Sequence, residues 1–176
     1  MRPESRIKED IYRLCEVLWP ITRSITGNGV RETLSIIQQE ISNLTIHEVP
    51  TGTQCFDWKI PKEWNIKDAY IIDPDGKKII DFQDSNLHVV SYSTPINQTV
   101  PLAELQEHLH SLPEQPNAIP YVTSYYEERW GFCLTENQRK TLKEGNYQVC
   151  INSELSDGSL TYGELIIHGK SEKEVF

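Results

Sequence analysis

The segment from Arg23 to Arg31 carries a dense set of polar groups at the start of a predicted helix. It reads RSITGNGVR, so hydroxyl and backbone amide groups are flanked by an arginine on each side. The first turn of a helix has unpaired N–H groups and the positive end of the helix dipole, which favour a carboxylate or another anion. Arg23, Ser24, Thr26 and Arg31 are therefore candidate substrate-binding residues. The alternative is structural: a capped helix start with an arginine that fixes the loop.

Two acid–tryptophan pairs form a second candidate site. Asp57-Trp58 and Glu63-Trp64 lie six residues apart. Carboxylates and the faces of aromatic rings both attract an ammonium group, so Asp57, Trp58 and Trp64 are candidate substrate-binding residues. Alternatively, the tryptophan rings fill the core of a small β-domain while the acids stay in solvent.

An aromatic block follows at residues 121–133, which read YVTSYYEERWGFC and hold five of the sixteen aromatic residues of the chain. Rings and charges are interleaved, and tyrosine and tryptophan combine an apolar body with a polar tip, which suits a surface that grips a polar ligand. The candidates in this block are Tyr125, Tyr126, Arg129 and Trp130. The alternative is a solvated edge strand or loop whose rings cap the core.

Familiar catalytic and metal-binding motifs are missing from the sequence. It contains no HExxH, no GxSxG and no phosphate-binding glycine loop with its lysine, and the four cysteines lack CxxC spacing. A catalytic cysteine needs a histidine placed beside it, and the sequence identifies none. We therefore predict no catalytic residue and no metal site within this chain, and we expect buried, reduced cysteines.

Composition restricts the partners. The 176 residues include 17 basic and 26 acidic side chains, which give a net charge of −9 without any run of lysines or arginines. Nucleic acid binding needs a basic surface, so nucleic acid is not an expected partner. No apolar stretch approaches the length of about 18 residues that a membrane-spanning helix needs, and the charged N-terminus lacks an apolar signal core, which favours a cytoplasmic location.

Hydrophobic periodicity predicts the elements that position these residues. Helical spacing indicates helices at 5–18 and 29–42, and a period of two starts at Leu44. Residues 73–76, which read DPDG, predict a β-hairpin between strands at 69–72 and 78–82. The later predictions are a strand at 87–92, helices at 101–112 and 135–143, and strands at 147–151 and 160–167 that pair around the turn at 157–158.

Five sequence blocks together resemble a known family. They are RSITGNGVRET (23–33), PTGTQCFDW followed by IPKEW (50–64), SNLHVVSYSTP (85–95), IPYVTSYYEERWGFC (119–133) and DGSLTYGE (157–164). In this order they resemble the aminopeptidase-like proteins of the DUF4910 family, which carry an inserted DUF2172 domain. The resemblance extends from about residue 10 to residue 176, and its first block is also similar to the start of M28-type zinc peptidases.

The resemblance implies an α/β zinc-exopeptidase-like core with a β-rich insert, so that this chain by itself is α+β. Residues 1–50 would be the helical part of the core, 51–145 the DUF2172-like insert, and 146–176 a strand pair that returns to the core sheet. The implied activity is zinc-dependent removal of N-terminal residues, or hydrolysis of a related amide, by a metal-activated water. The substrate would be a peptide or an aminoacyl compound.

The same resemblance places the zinc ligands and the general base beyond residue 176. This chain alone is then expected to bind no zinc and to be inactive without a C-terminal half. Two other classes stay open. One is a stand-alone module that binds a peptide or a saccharide through Tyr125, Tyr126 and Trp130. The other is a structural or assembly domain, including a homo-oligomer formed through an apolar edge near Phe176.

Overall fold

The computed structural model describes residues 4–125 and 127–169, with side chains from residue 7 onward. Two helices come first, and strands with short helices between them follow. In chain order the elements are α1 (Glu4–Leu18), α2 (Asn28–Glu40), β1 (Thr45–Pro50), β2 (Gln54–Cys55), β3 (Trp58–Lys59), β4 (Glu63–Ile72), β5 (Lys78–Asp81), a 3-10 helix (Asn86–His88), β6 (Ile96–Pro101), α3 (Leu102–Glu107), β7 (Leu109–His110), β8 (Phe132–Cys133), α4 (Glu136–Lys140), β9 (Asn146–Ser156) and β10 (Ser159–Glu164).

An antiparallel four-stranded sheet in the order β5-β4-β9-β6 holds the hydrophobic core. Apolar side chains alternate along its strands, so one face is buried, and α3 packs against β6 and β9. The core cluster consists of Ala69, Ile71, Ile80, Val89, Val100, Leu105, Leu109, Phe132, Leu134, Tyr147, Val149 and Ile151.

A separate two-stranded ribbon joins distant parts of the chain. β1 pairs antiparallel with β10, from Thr45 opposite Glu164 to Pro50 opposite Ser159. Helix α2 packs on β10, and Leu34 lies so close to Gly163 that a side chain there would approach within 3.1 Å of it. By contrast, α1 leaves large apolar side chains in solvent, among them Ile11, which is 59% exposed.

Several sequence predictions are confirmed. The fold mixes helices and sheets as expected for an α+β chain, and both N-terminal helices lie where periodicity placed them. The hairpin between β4 and β5 is present, with Gly76 at a φ of 82° and the Asp73 carboxylate accepting from the amides of Asp75 and Lys77. Thr135 caps α4 through a reciprocal capping box with Gln138.

The predicted pairing of the last two strands is wrong. β9 lies between β4 and β6 in the central sheet, and β10 pairs with β1 instead. Hydrogen bonds hold the turn after β9 next to the end of β1. The Thr51 amide donates to the Gly158 carbonyl, and the Gly158 amide donates to the Thr51 hydroxyl. The Ser159 amide also donates to the Glu63 carboxylate. The predicted strand at 174–176 lies outside the described residues, and the division at residues 50 and 145 stays a prediction.

Two further elements differ from expectation. The predicted strand at 87–92 begins as a 3-10 helix capped by Ser85, because the Ser85 hydroxyl accepts from the Leu87 amide, and it ends at Tyr92 with a φ of 69°. The predicted helix at 101–112 stops at Glu107, since the His108 carbonyl accepts from the Phe132 amide across the β7–β8 pair. Tertiary pairing overrides the local helical pattern there.

The cysteines are free, as predicted, but their burial differs. Cys133 is buried, and loss of solvent raises the pKa of its thiol to about 12. Cys15 and Cys55 are exposed because α1 and the β2–β3 hairpin turn them outward, so the expectation of burial is wrong for these two. In the part of the chain that the structure describes, no helix has the length and apolar character needed to cross a membrane.

Candidate functional site

A cleft of about 460 Å³ forms where three segments meet: the loop between α1 and α2, the stretch around the 3-10 helix, and the start of the aromatic block. β4 contributes its floor. The lining residues are Trp19, Ile21, Thr22, Arg23, Ser24, Ile25, Trp64, Asn86, Leu87, Val89, Ser91, Tyr121 and Tyr125. The volume lies in the range of small-molecule sites.

Close backbone packing fixes the loop that forms one wall. Gly27 has a φ of 94°, and a Cβ there would lie 2.2 Å from the Trp64 carbonyl oxygen. At Gly29 a Cβ would lie 1.9 Å from the Thr22 carbonyl oxygen. Thr26 is buried and accepts from the Trp64 amide at 3.1 Å. Glycine at position 27 thus lets the loop lie directly against β4, and glycine at position 29 lets the start of α2 lie directly against Thr22 of the same loop.

The N-terminus of α2 is capped from outside by a neighbouring strand. The Asn28 amide donates to the Asn65 side-chain oxygen on β4 at 2.8 Å. Arg31, one turn later, forms a bidentate pair with Glu63, which also accepts from the Ser159 amide and the Asn65 side chain. These hydrogen bonds, led by those from Arg31, lower the pKa of Glu63 to about 2. The contacts of Arg31 thus fit the structural alternative, in which an arginine fixes the loop.

Hydroxyl groups line the cleft in two pairs. Ser24 and Ser91 are joined by a hydrogen bond of 2.8 Å between their Oγ atoms, and the hydroxyls of Tyr121 and Tyr125 are 2.9 Å apart. Loss of solvation and the bond to Tyr125 raise the pKa of Tyr121 to about 12, while a hydrogen bond with Ser91 acts in the opposite direction. Each of these hydroxyls can both donate and accept hydrogen bonds.

Stacked rings support the cleft from below. Trp64 is 4% exposed, and its indole N–H donates to the Ser93 carbonyl at 3.0 Å. Its ring stacks on Tyr92 at 5.8 Å, and Tyr92 meets Tyr125 edge to face at 5.2 Å. Because Trp64 and Tyr92 are rigidly held, they set the position of Tyr125.

The structure gathers some predicted site residues and separates others. Arg23, Ser24, Trp64 and Tyr125 line the cleft, and Thr26 lies directly behind it. The Arg23 guanidinium donates to the Leu18 carbonyl at 2.7 Å, so it also closes the end of α1.

The remaining predicted residues lie elsewhere. Asp57 is in the turn of the β2–β3 hairpin and Trp58 is in β3. Trp130 stacks on His108 at a centroid distance of 3.6 Å, which packs it against the end of α3. Arg129 donates to the Thr123 carbonyl at 3.1 Å. The predicted residue Tyr126 lies outside the described residues.

Sequence reasoning missed Trp19, Asn86, Ser91 and Tyr121. Trp19 lies between an apolar helical stripe and Pro20, a position that signals the end of a helix. Such a position does not indicate which distant residues the ring will lie beside. Asn86 and Ser91 belong to the SNLHVVSYSTP block, which resembled the family but was interpreted as a plain strand. Tyr121 opens the aromatic block and has no charged neighbour to mark it.

A resident metal is not supported by this part of the chain. Across residues 4–125 and 127–169, no group of three or more His, Cys, Asp or Glu side chains is placed to hold a metal ion. The contacts above suit binding of an organic ligand through rings and hydroxyls.

Known proteins similar to this chain carry peptidase-related names. One from Clostridium acetobutylicum, called "Putative polysaccharide biosynthesis protein with aminopeptidase-like domain", is 55% identical over 166 residues, which are 94% of this chain and 38% of that protein. A crystal structure of a "putative peptidase" from Clostridium acetobutylicum matches with a TM-score of 0.89 at 54% identity, over 96% of this chain and 40% of its own. The chain thus spans about two fifths of the length of these relatives.

The family comparison covers the central sheet. The family described as "Domain of unknown function (DUF2172)" matches residues 63–154, which begin at β4 and end within β9. This region is about half of the chain and contains the core cluster together with Trp64, Ser91, Tyr121 and Tyr125 of the cleft. The chain belongs to the DUF2172 family.

Proposed function

We propose that this chain is the N-terminal part of a zinc-dependent aminopeptidase-like hydrolase of the DUF4910 and M28 type, and that its β-rich region shapes the access of a peptide or aminoacyl substrate. The observation that carries the proposal is the match over 96% of the chain to the crystal structure of a protein called a peptidase. The relative named for an aminopeptidase-like domain supports the same activity.

The proposed division of labour gives binding to this chain and chemistry to the remainder. The described residues offer a preformed cleft but no cluster of metal ligands. We place the zinc ligands and the catalytic base in the part of the longer proteins that this chain does not match. The cleft would then guide one end of the substrate toward that centre.

Reconstitution tests the proposal directly. The chain is fused to the remaining part of the Clostridium acetobutylicum protein, and hydrolysis of a set of aminoacyl-4-nitroanilides is measured. We expect release of nitroaniline that requires zinc and that disappears with a chelator, because the assembled protein would contain both the cleft and the metal site. A correctly folded, zinc-loaded fusion that hydrolyses none of these amides would contradict the proposal.

An exposed apolar surface supports association with the remaining part. Ile7, Ile11, Tyr12 and Val17 are exposed on α1 and define the α1 surface, and Leu165, Ile166 and Ile167 are exposed separately after β10. Exposed apolar groups in such number mark an interaction surface. Since the relatives are more than twice as long, we propose that their additional polypeptide covers this surface.

Replacing Ile11 with glutamine is expected to weaken binding of the remaining part, produced as a separate chain, by about tenfold. Burial of an isoleucine side chain is worth about 1.5–3 kcal/mol, and most of it would be lost. Calorimetry of the two parts measures the effect. Phe56→Ser is the matched control, because Phe56 is 96% exposed on the β2–β3 hairpin, outside the α1 surface.

The competing occupant is a second copy of this chain. If light scattering shows a dimer of the isolated chain that Ile11→Gln converts to a monomer, the surface is a homo-oligomer interface and this docking proposal is wrong.

A further inference from the structure

The charged groups that line the cleft do not suit the binding of a free amine. Among the described residues that line it, Arg23 alone is charged, and its guanidinium is already directed to the Leu18 carbonyl. An ammonium group buried there would meet no carboxylate, and an unpaired charge is costly to remove from water. The cleft therefore disfavours a cationic ligand.

Two acidic side chains lie in a neighbouring groove that shares Tyr125 with the cleft. This smaller groove of about 300 Å³ is lined by Tyr92 and Tyr125 together with Glu127, Glu128 and Lys62. A cation would be attracted to that groove in preference to the cleft. Tyr125 thus lines both the cleft and this acidic groove.

Polar atoms of the cleft match a ligand that is rich in hydroxyls. The Ser24–Ser91 pair and the Tyr121–Tyr125 pair offer hydroxyls that both donate and accept, and Asn86 adds an amide. Such groups can follow the alternating donors and acceptors of a neutral polyol. A purely apolar ligand would displace the water around these polar groups without replacing its hydrogen bonds.

Two exposed rings supply the apolar contacts. Trp19 is 72% exposed and Tyr121 is 62% exposed, and both line the cleft. A sugar ring has a polar rim and an apolar C–H face. Aromatic rings stack on the apolar face, and the tyrosine hydroxyl and neighbouring polar side chains form hydrogen bonds with the rim. The volume of about 460 Å³ accommodates one or two sugar rings.

We propose that this cleft is a binding site for a neutral sugar unit. The inference deepens the proposed function, since it names a sugar-bearing compound as the substrate class that the cleft recognises. Trp19 and Tyr121 stack on the sugar ring, and the two hydroxyl pairs bond its rim. The amine or amide to be processed lies outside the cleft, toward the acidic groove or the remaining part of the protein.

Binding is tested on the full 176-residue chain with four probes that share one ring: glucose, N-acetylglucosamine, glucosamine and glucuronate. The indole N–H resonances of the four tryptophans are followed by NMR and assigned with single Trp→Phe variants. We expect the Trp19 resonance to shift with glucose and N-acetylglucosamine, with a Kd of about 1–10 mM, as suits a ligand of this size. The Trp58 resonance should stay in place, because Trp58 lies in β3.

Matched variants assign the contacts. Tyr121→Ala should weaken sugar binding at least about fivefold, and Ser91→Ala about threefold, in line with the loss of one stacking ring and one hydrogen bond. Phe56→Ala removes an even more exposed ring, which lies outside the cleft, and should leave the Kd unchanged. Tyr121 is largely exposed, so its truncation removes no core contact, and thermal melting verifies that each variant is folded.

The selectivity of the probes decides the outcome. Cationic glucosamine should bind at least about tenfold more weakly than N-acetylglucosamine, because the cleft offers no carboxylate. Equal binding of glucosamine, tighter binding of glucuronate than of glucose, or no shift of Trp19 with roughly 100 mM sugar would overturn the inference. An active fusion protein whose chain binds no sugar would overturn this inference alone, whereas sugar binding by a fusion without hydrolase activity would overturn the proposed function alone.

Discussion

Substitution of Gly27 by alanine is expected to lower the free energy of unfolding by about 3 kcal/mol or more, which makes it one of the most damaging single changes in this chain. Gly27 combines a φ of 94° with a position where a Cβ would lie 2.2 Å from the Trp64 carbonyl oxygen. Relief of that clash must move the loop away from β4, and the hydrogen bond from the Trp64 amide to Thr26 would be lost with it. Urea denaturation followed by circular dichroism measures the change.

Gly52→Ala provides the matched control. Gly52 has a similar φ of 85°, yet nothing lies within 4 Å of the position of its Cβ. Its substitution carries the cost of the backbone conformation alone, about 1 kcal/mol. The difference between the two variants therefore isolates the contact between the loop and β4. Equal destabilisation by Gly27→Ala and Gly52→Ala would show that the loop is not held against Trp64.

The ion pair between Arg31 and Glu63 predicts the second large effect. Glu63→Gln should lower the free energy of unfolding at neutral pH by about 3 kcal/mol, since the Glu63 side chain is 10% exposed and its charge is matched by Arg31. The substitution leaves the Arg31 guanidinium, which is itself 31% exposed, without its carboxylate. Chemical denaturation at a series of pH values measures both the size and the pH dependence.

The pH profile has a definite sign. Glu63 has a pKa of about 2 in the folded protein, below its ordinary value of 4.5. The native state therefore favours the charged form, and this stabilisation is complete above about pH 5 and is lost as the pH falls toward about 2. The Glu63→Gln variant lacks this component, so its stability should fall less over the same range. A wild-type chain and a variant with parallel pH profiles would contradict the prediction.

An exposed ion pair serves as the comparison. The Asp75 carboxylate lies 2.8 Å from the Lys143 ammonium, and both side chains are largely in solvent. Asp75→Asn should leave stability close to the wild-type value at every pH, because solvent screens such pairs. A loss similar to that of Glu63→Gln would mean that burial does not distinguish the two ion pairs.

Local sequence signals predicted the local structure well. The apolar stripe of α1, the DPDG turn before β5 and the cap at Thr135 each act within a few residues, so neighbouring side chains determine the outcome. The same reasoning failed at β9 and β10, because their partners are chosen by contacts about a hundred residues away. Hydrogen bonds from the turn to Thr51 and Glu63 decide that choice.

The candidate site shows the same limit. Arg23, Ser24, Trp64 and Tyr125 were selected by residue type, and the structure places them around the cleft, while their role in binding stays a prediction. Their surroundings were not predictable. The Asn28 amide at the start of α2 proved to be capped by Asn65, which comes from another element. The Ser24–Ser91 pair in the cleft likewise joins two loops that only tertiary folding brings together.

The ribbon of β1 and β10 has a consequence for how the polypeptide is threaded. Pro50 and Ser159 are opposite each other in register, so the chain returns to about 5 Å from where it departed. Residues 51–158 leave β1 and return to β10 at nearly the same place, as the residues of a tight turn do, whatever their number. They can therefore vary in length without changing the path of the flanking backbone, provided that the two strands of the ribbon still meet and that β4 keeps its contacts with the loop before α2.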